Sequence, residues 1–466
     1  MKKIFALMIT VVLVLGLLVA CQGAQEAPGG EAGATENGAE GGDGAGEVAA
    51  DEVGTIELNF WTDFPPRSEY ILREAAAAFM LEFPQYTIEI DIFPGADRAE
   101  RLALAQSTNT LPTLMFAASF VMMDFAHQGA MVPMTEVIEP LASYFPAHSI
   151  ADTTINGEHF FFPLYQSPFV LMYNADMFRE AGLDEFITDT NLELAEWTLD
   201  EFVNVILPGL RDLVAGTARY PFALFAGNEQ ADPHNHNLLR MYGGTVFDGG
   251  LIVAHEDENT IRALDTLASW VEQGFTNSDA ATKLGTEAQS DFSNQMSGIS
   301  FGQLPVFQQW LEDVEAGEME AFDFRMAMVP REGGHTMTVN YLGGFLMNTD
   351  DAQKEGGRKF LTWLADQQDT FLKELNLLAM PTHSGVLAAI GDNPLYPLYQ
   401  EFAARGDAVF DVTGGAPGYV ETRALFFPAI QSVISGELTS REALERYAIA
   451  GNEIIEEYIR RSVVLN

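Results

Sequence analysis

Two alternating periodicities, beginning at Ile56, constrain the fold of this chain more than any other feature. Ile56-Glu57-Leu58-Asn59-Phe60-Trp61 alternates at period two and reads as a strand that Pro65-Pro66 breaks. Residues 68–83 follow as a helix, with Ser68 placed to cap it and an alanine-rich middle. The pattern repeats: 86–92 alternates as a strand, 98–106 is helical, 113–117 is a short apolar strand, and a further helix starts at Asp124-Phe125 before Gly129. Strands separated by helix-length segments cannot be hairpins. They predict a parallel sheet covered by helices, an α/β fold.

The same grammar runs to the C-terminus. Strands are predicted at 169–173, 220–225, 298–301 and 325–329, with helices at 176–181, 260–273, 352–374 and 440–461. The helix at 260–273 opens on a threonine cap, and that at 352–374 is weakened at Gly356-Gly357. Thr198-Leu199-Asp200-Glu201 is a capping box. No internal repeat of fixed period is present.

Before Ile56 the composition is of another kind. Lys2 and Lys3 precede an apolar run over 4–20, a secretory address too short for a stable spanning helix, and no later stretch is long and apolar enough to span. The run ends Leu18-Val19-Ala20-Cys21, which resembles the bacterial lipobox. That resemblance implies a signal peptide over 1–20 and acyl chains on Cys21. Residues 22–54 are Gly, Ala and Glu with eight acidic and no basic side chains, a composition that cannot bury enough surface to fold. The expected order is anchor, acidic tether over 21–54, and a folded body from Thr55.

The whole chain carries 67 acidic against 24 basic residues, a formal net charge of −43. Such a surface repels phosphates and disfavours nucleic acid as a partner. It suits a salt-rich medium or a cationic ligand. One cysteine excludes an intramolecular disulfide and a thiolate metal site. Asp232-Pro233-His234-Asn235-His236 is a polar cluster in an expected loop. His-x-His alone is not a metal set, so no metal or cofactor is expected, although Asn235 or His236 could touch a ligand. Glu256-Asp257-Glu258 reads as solvated loop. No nucleophile elbow, phosphate loop, His-Glu-x-x-His or dinucleotide fingerprint occurs.

Several segments, in order, resemble the extracellular solute-binding proteins of sugar importers, the group that includes maltose-binding protein. They are the opening strand to Asp63; Ala-Leu-Ala-Gln-Ser-Thr-Asn-Thr-Leu-Pro-Thr-Leu-Met over 103–115, with Thr113 where the family usually has Asp; the turn 129–133; the run 157–183 followed by Trp197-Thr198-Leu199-Asp200-Glu201-Phe202; Tyr242-Gly243-Gly244; 292–302; and Tyr341-Leu342-Gly343-Gly344. The resemblance covers about 56–457. It implies a two-lobed periplasmic-binding-protein-like fold with hinge crossovers and an interlobe ligand cleft. The lobes are expected at 55–165 plus 300–348 and at 166–299 plus 349–466, with crossings near 163–168, 297–302 and Asn348. It also implies a monomeric binding protein without catalytic residues. That protein sits on the outer face of the cell membrane, takes a small solute (a mono- or oligosaccharide) and delivers it to the permease subunits of an ABC importer. A secreted glycan hydrolase, and a binder of polyamines or peptides, are the alternatives that composition leaves open.

A sugar site needs flat aromatic faces and a few orienting polar groups. Trp61 and Asp63 end the first strand, where α/β sheets place ligands, and Ser119 and Phe120 follow the third strand at a similar edge. Tyr165, Gln166 and Ser167 lie in the first crossover. Trp310 follows the second. Tyr341, Gly343 and Gly344 match the glycine pair that the family places at its cleft, where glycine admits close approach. Trp270 reads as core. Arg67 and Arg423 have no assigned role.

Overall fold

In the computed structural model, the residues described are 55–63, 66–376 and 380–465. The leader, Cys21 and the acidic tether lie outside them, as does the Arg67 side chain.

The first run is β1 (Ile56–Thr62), α1 (Pro66–Glu82), β2 (Tyr86–Ile92), α2 (Arg98–Thr108), β3 (Leu114–Ala118) and the short α3 (Met123–His127). These match the predicted segments closely. A buried 13-residue strand follows, β4 (Phe162–Asn174). Then come β5 (Tyr220–Phe222), α4 (Asp232–Met241), α5 (Glu258–Glu272), β6 (Ser297–Gln303), α6 (Leu304–Ala316), β7 (Phe324–Ala327), β8 (Thr338–Leu346), α7 (Asp351–Asp366), β9 (Met380–Pro381), α8 (Tyr419–Ile434) and α9 (Ser440–Arg461).

The main sheet runs β2-β1-β3-β8-β4-β6-β5, with β7 and β9 also on β4. Pairing is parallel from β2 through β1 to β3 and antiparallel wherever β8 or β4 takes part. β4 runs through 163–168, where a crossover was expected. Its first half pairs with β8 and its second half with β6 and β7, so one strand serves both lobes.

The expected lobe ranges need correction. β6 stays beside the second half of β4, so 297–302 is not the return crossing; the chain returns on β8. Leu304, Phe307, Phe324 and Met326 pack with Val170 and Met172 of the second lobe, which removes most of 300–348 from the first. Helix α7 belongs to the first lobe, with Phe360 4.7 Å from Phe60 and 5.3 Å from Phe79. Its two glycines are the reason. A Cβ on Gly356 would lie 2.7 Å from Leu58, and one on Gly357 2.8 Å from Leu346, so the pair lets an unbroken helix lie flat on the sheet. The helical stretch expected at 352–374 therefore does not fail at the glycines.

Two more local readings change. The α5 cap is Asp257, not Thr260: its carboxylate accepts from Asn259 N, so that acidic run is a helix start. The polar cluster at 232–236 is not a loop but the first turns of α4, buried throughout. Asp232 pairs with Arg423 at 2.7 Å. His234 packs 4.5 Å from Phe301 and His236 stacks 4.5 Å from Phe426, so both act as aromatic rings. Burial lowers each histidine to about 3 and keeps them neutral. The Thr198 capping box is present, and Trp270 is core, 6.1 Å from Phe222.

Candidate functional site

β3 ends at Ala118, and the chain turns through Ser119–Val121 into α3. That turn and α3 form one wall of a cleft of about 330 Å³. Val339 and Tyr341, alternate residues of β8, form its floor, and the facing wall is the segment 410–416 with Tyr419, the first residue of α8. An adjoining cavity of about 480 Å³ shares Val339 and is lined by Tyr144, Phe145, His148, Gln166 and Phe402.

The first-lobe wall is tied to the second lobe. Asp124 on α3 accepts from Gly418 N at 2.7 Å and Val420 N at 3.2 Å, so a carboxylate from one lobe caps the helix that begins the other wall. Burial still pushes Asp124 up to about 6, because the N–H groups offset only part of the desolvation.

The cleft holds two further carboxylates. Asp411 is fixed by Thr413 N at 2.8 Å, the Thr413 hydroxyl, and Gly415 N at 3.0 Å. Among the described residues Asp152 has no hydrogen bond from its side chain; burial, and then Asp411 beside it, push it well above the usual carboxylate range. Aromatic side chains complete the walls. Phe120 meets Tyr419 edge-on with centroids 6.5 Å apart, and the Tyr341 hydroxyl is hydrogen-bonded with His148 Nδ1. The Arg423 guanidinium lies 5.0 Å over Phe120 while paired with Asp232.

Of the residues expected at the site, Ser119, Phe120 and Tyr341 line this cleft, and Gln166 lines the adjoining one. The others have structural work elsewhere. Trp61 packs edge-on against Phe93 at 5.6 Å, and Asp63 is held by Arg98 Nε at 2.8 Å. Tyr165 is buried in the first-lobe core, and Ser167 donates to Gln303 at 3.3 Å. Trp310 stacks on Phe292 at 5.6 Å in the second lobe. A Cβ on Gly343 would fall 2.0 Å from Phe162 O at a bulge, and one on Gly344 3.2 Å from Phe116, so this glycine pair serves strand packing and not ligand approach. Asn235 and His236 are sealed within the second lobe.

Sequence reasoning missed Asp124, Asp152, Phe410, Asp411 and Tyr419. These residues share no local motif, and only the packing of α8 and the 410–416 segment against α3 brings them together. Among the described residues no group of three or more His, Cys, Asp or Glu is placed to hold a metal. None of their helices is long and apolar enough to cross a membrane.

A sequence profile described as bacterial extracellular solute-binding protein matches residues 65–370. The chain belongs to that family. Solved structures agree on the fold. The cyclic alpha-maltosyl-1,6-maltose binding protein of Arthrobacter globiformis aligns with TM-score 0.70 at 18% identity, over 87% of this chain and 100% of its own. An ABC transporter solute-binding protein of Thermotoga lettingae, bound with alpha-D-tagatose, gives 0.68 at 18% identity over 86% and 100%. The sugar-binding protein MalE of Xanthomonas citri gives 0.69 at 15% identity over 86% and 98%. No curated protein sequence matches the chain. At these identities the likeness establishes a two-lobed α/β solute-binding fold. Members of this family bind solutes outside the cytoplasm.

Proposed function

We propose that this chain is the substrate-binding lipoprotein of an ABC importer, anchored through Cys21 to the outer face of the membrane. It captures a mono- or oligosaccharide between its lobes, closes on it by a hinge motion about β4 and β8, and delivers it to a permease without altering it. The observation that carries this reading is the interlobe cleft, where Phe120, Tyr341 and Tyr419 supply aromatic surface and Ser119, Thr154 and Thr413 supply hydroxyls. The adjoining cavity extends the same groove and gives room for more than one ring. The named sugar ligands of the structural relatives support the same class.

A thermal-shift screen of the full chain against sugars, polyols, polyamines and peptides tests it. A ligand of the folded state raises the melting temperature, by about 2.7 kcal/mol of stabilisation at a hundred times Kd. A shift from a sugar class, with the sugar recovered intact after incubation, is the expected result. Turnover of a glycan, or a shift from peptides alone, sinks the reading.

A further inference from the structure

We infer that the sugar held in this cleft carries a protonated amine, and that the Asp152–Asp411 pair receives it. The inference rests on the cleft being a sugar site and adds the charge of the ligand. It begins with a charge count. Asp124, Asp152 and Asp411 all line the cleft, and among the described residues no lysine or arginine does. Two guanidiniums lie behind cleft-lining rings: Arg423, 5.0 Å over Phe120 and paired with Asp232, and Arg240, 4.6 Å over Phe410.

The three carboxylates are not equivalent. Asp124 is satisfied by the start of α8, and Asp411 is clamped in place by Thr413 and Gly415. Asp152 has no partner except the like charge of Asp411. Two partly desolvated carboxylates side by side are unfavourable unless a proton or a cation lies between them. A neutral sugar hydroxyl can donate one hydrogen bond there but leaves the pair dependent on a shared proton; an ammonium group replaces that proton and donates as well.

The surroundings agree. The other titratable groups lining the cleft are His127 on α3, Tyr341 on β8 and Tyr419 on α8, and none brings positive charge. Burial lowers His127 and raises both tyrosines. His148, bonded to Tyr341, is lowered by burial as well. Tyr419 is 3% exposed and its hydroxyl has no partner, so this wall also leaves a polar group unused. Phe120 and Phe410 beside the acids each already hold a guanidinium over one face, Arg423 and Arg240, so they supply apolar surface for the C–H groups of a sugar ring.

Titration calorimetry of the full chain at pH 7 tests this with glucosamine oligosaccharides, their N-acetylated forms, maltose-type neutral oligosaccharides, spermidine and calcium chloride. The amino sugar is expected to bind at least tenfold more tightly than its acetylated form. Asp152→Asn and Asp411→Asn, checked for an unchanged fold by circular dichroism, should each erase that preference. Because burial and the neighbouring Asp411 raise Asp152 and favour its protonated form, amine binding should also release a proton, seen as a heat that changes with the buffer's ionisation enthalpy. Equal or tighter binding of a neutral sugar, unaffected by Asp152→Asn, overturns the amine assignment and leaves the sugar reading standing. Binding of spermidine or calcium with no sugar bound overturns both.

Discussion

The ends of β1 and β3 lie side by side in one sheet, and the same rule marks both as ligand positions, yet only one opens on the cleft. Beyond β1, Asp63 finds Arg98 and Trp61 finds Phe93, so both are consumed by their own lobe. Beyond β3, Ser119 and Phe120 line the cleft; the ring and the cation that Phe120 meets, Tyr419 and Arg423, come from the distant α8 and not from its own lobe, and the chain turns at once into α3, whose Asp124 reaches across to α8. A strand end offers a place for a ligand. Whether it is free depends on whether a local cation and a local ring have already taken it.

Three substitutions sharpen that contrast. The largest effect is expected at the closed end. Trp61→Ala should cost about 3 kcal/mol of stability in chemical denaturation, as removal of a packed indole does, while ligand affinity stays within twofold. A tenfold loss of affinity with stability intact would return Trp61 to the site.

The second concerns the carboxylate beyond β3. Asp124 rises from 3.8 to about 6 on folding, so the folded state holds a proton that the unfolded state releases between those values. Stability from this group is therefore full below about pH 4 and is lost as pH rises through 6, a difference of about 3 kcal/mol at 1.36 kcal/mol per unit. Asp124→Asn removes that loss but weakens one N–H bond by about 1 kcal/mol, for a net gain of about 2 kcal/mol at pH 8 that turns into a net loss of about 1 kcal/mol near pH 4. A gain independent of pH would show that burial of this carboxylate does not set the balance.

The smallest effect is at the open end. Phe120→Ala should weaken sugar binding about tenfold, or about 1.4 kcal/mol, with little change in melting temperature. Unchanged affinity would move the aromatic platform to Tyr341 or Tyr419.

The history of individual residues explains what was legible. Period-two alternation marked β1, β2 and β3, and the capping box at Thr198 appeared as written, because strand faces and helix caps are determined within a few residues. The α4 cluster was misread for the opposite reason. Its polar residues have no apolar stripe, and they are buried only because Arg423, Phe301 and Phe426 arrive from distant segments. Gly343 and Gly344 were expected to admit a ligand, but the groups they admit are Phe162 O and Phe116 of neighbouring strands.

Sequence alone determined an α/β fold and the acidic, glycine-rich composition of 22–54, since periodicity, composition and caps act over short distances, while solute binding came from the resemblance to a family. Tertiary structure alone decided which lobe holds α7, which strand end is open, and which acids meet. Those outcomes depend on contacts between segments far apart in the chain, and no local pattern encodes them. Asp152 and Asp411 have no signal in common until β8 forms the floor and the 410–416 segment folds over it.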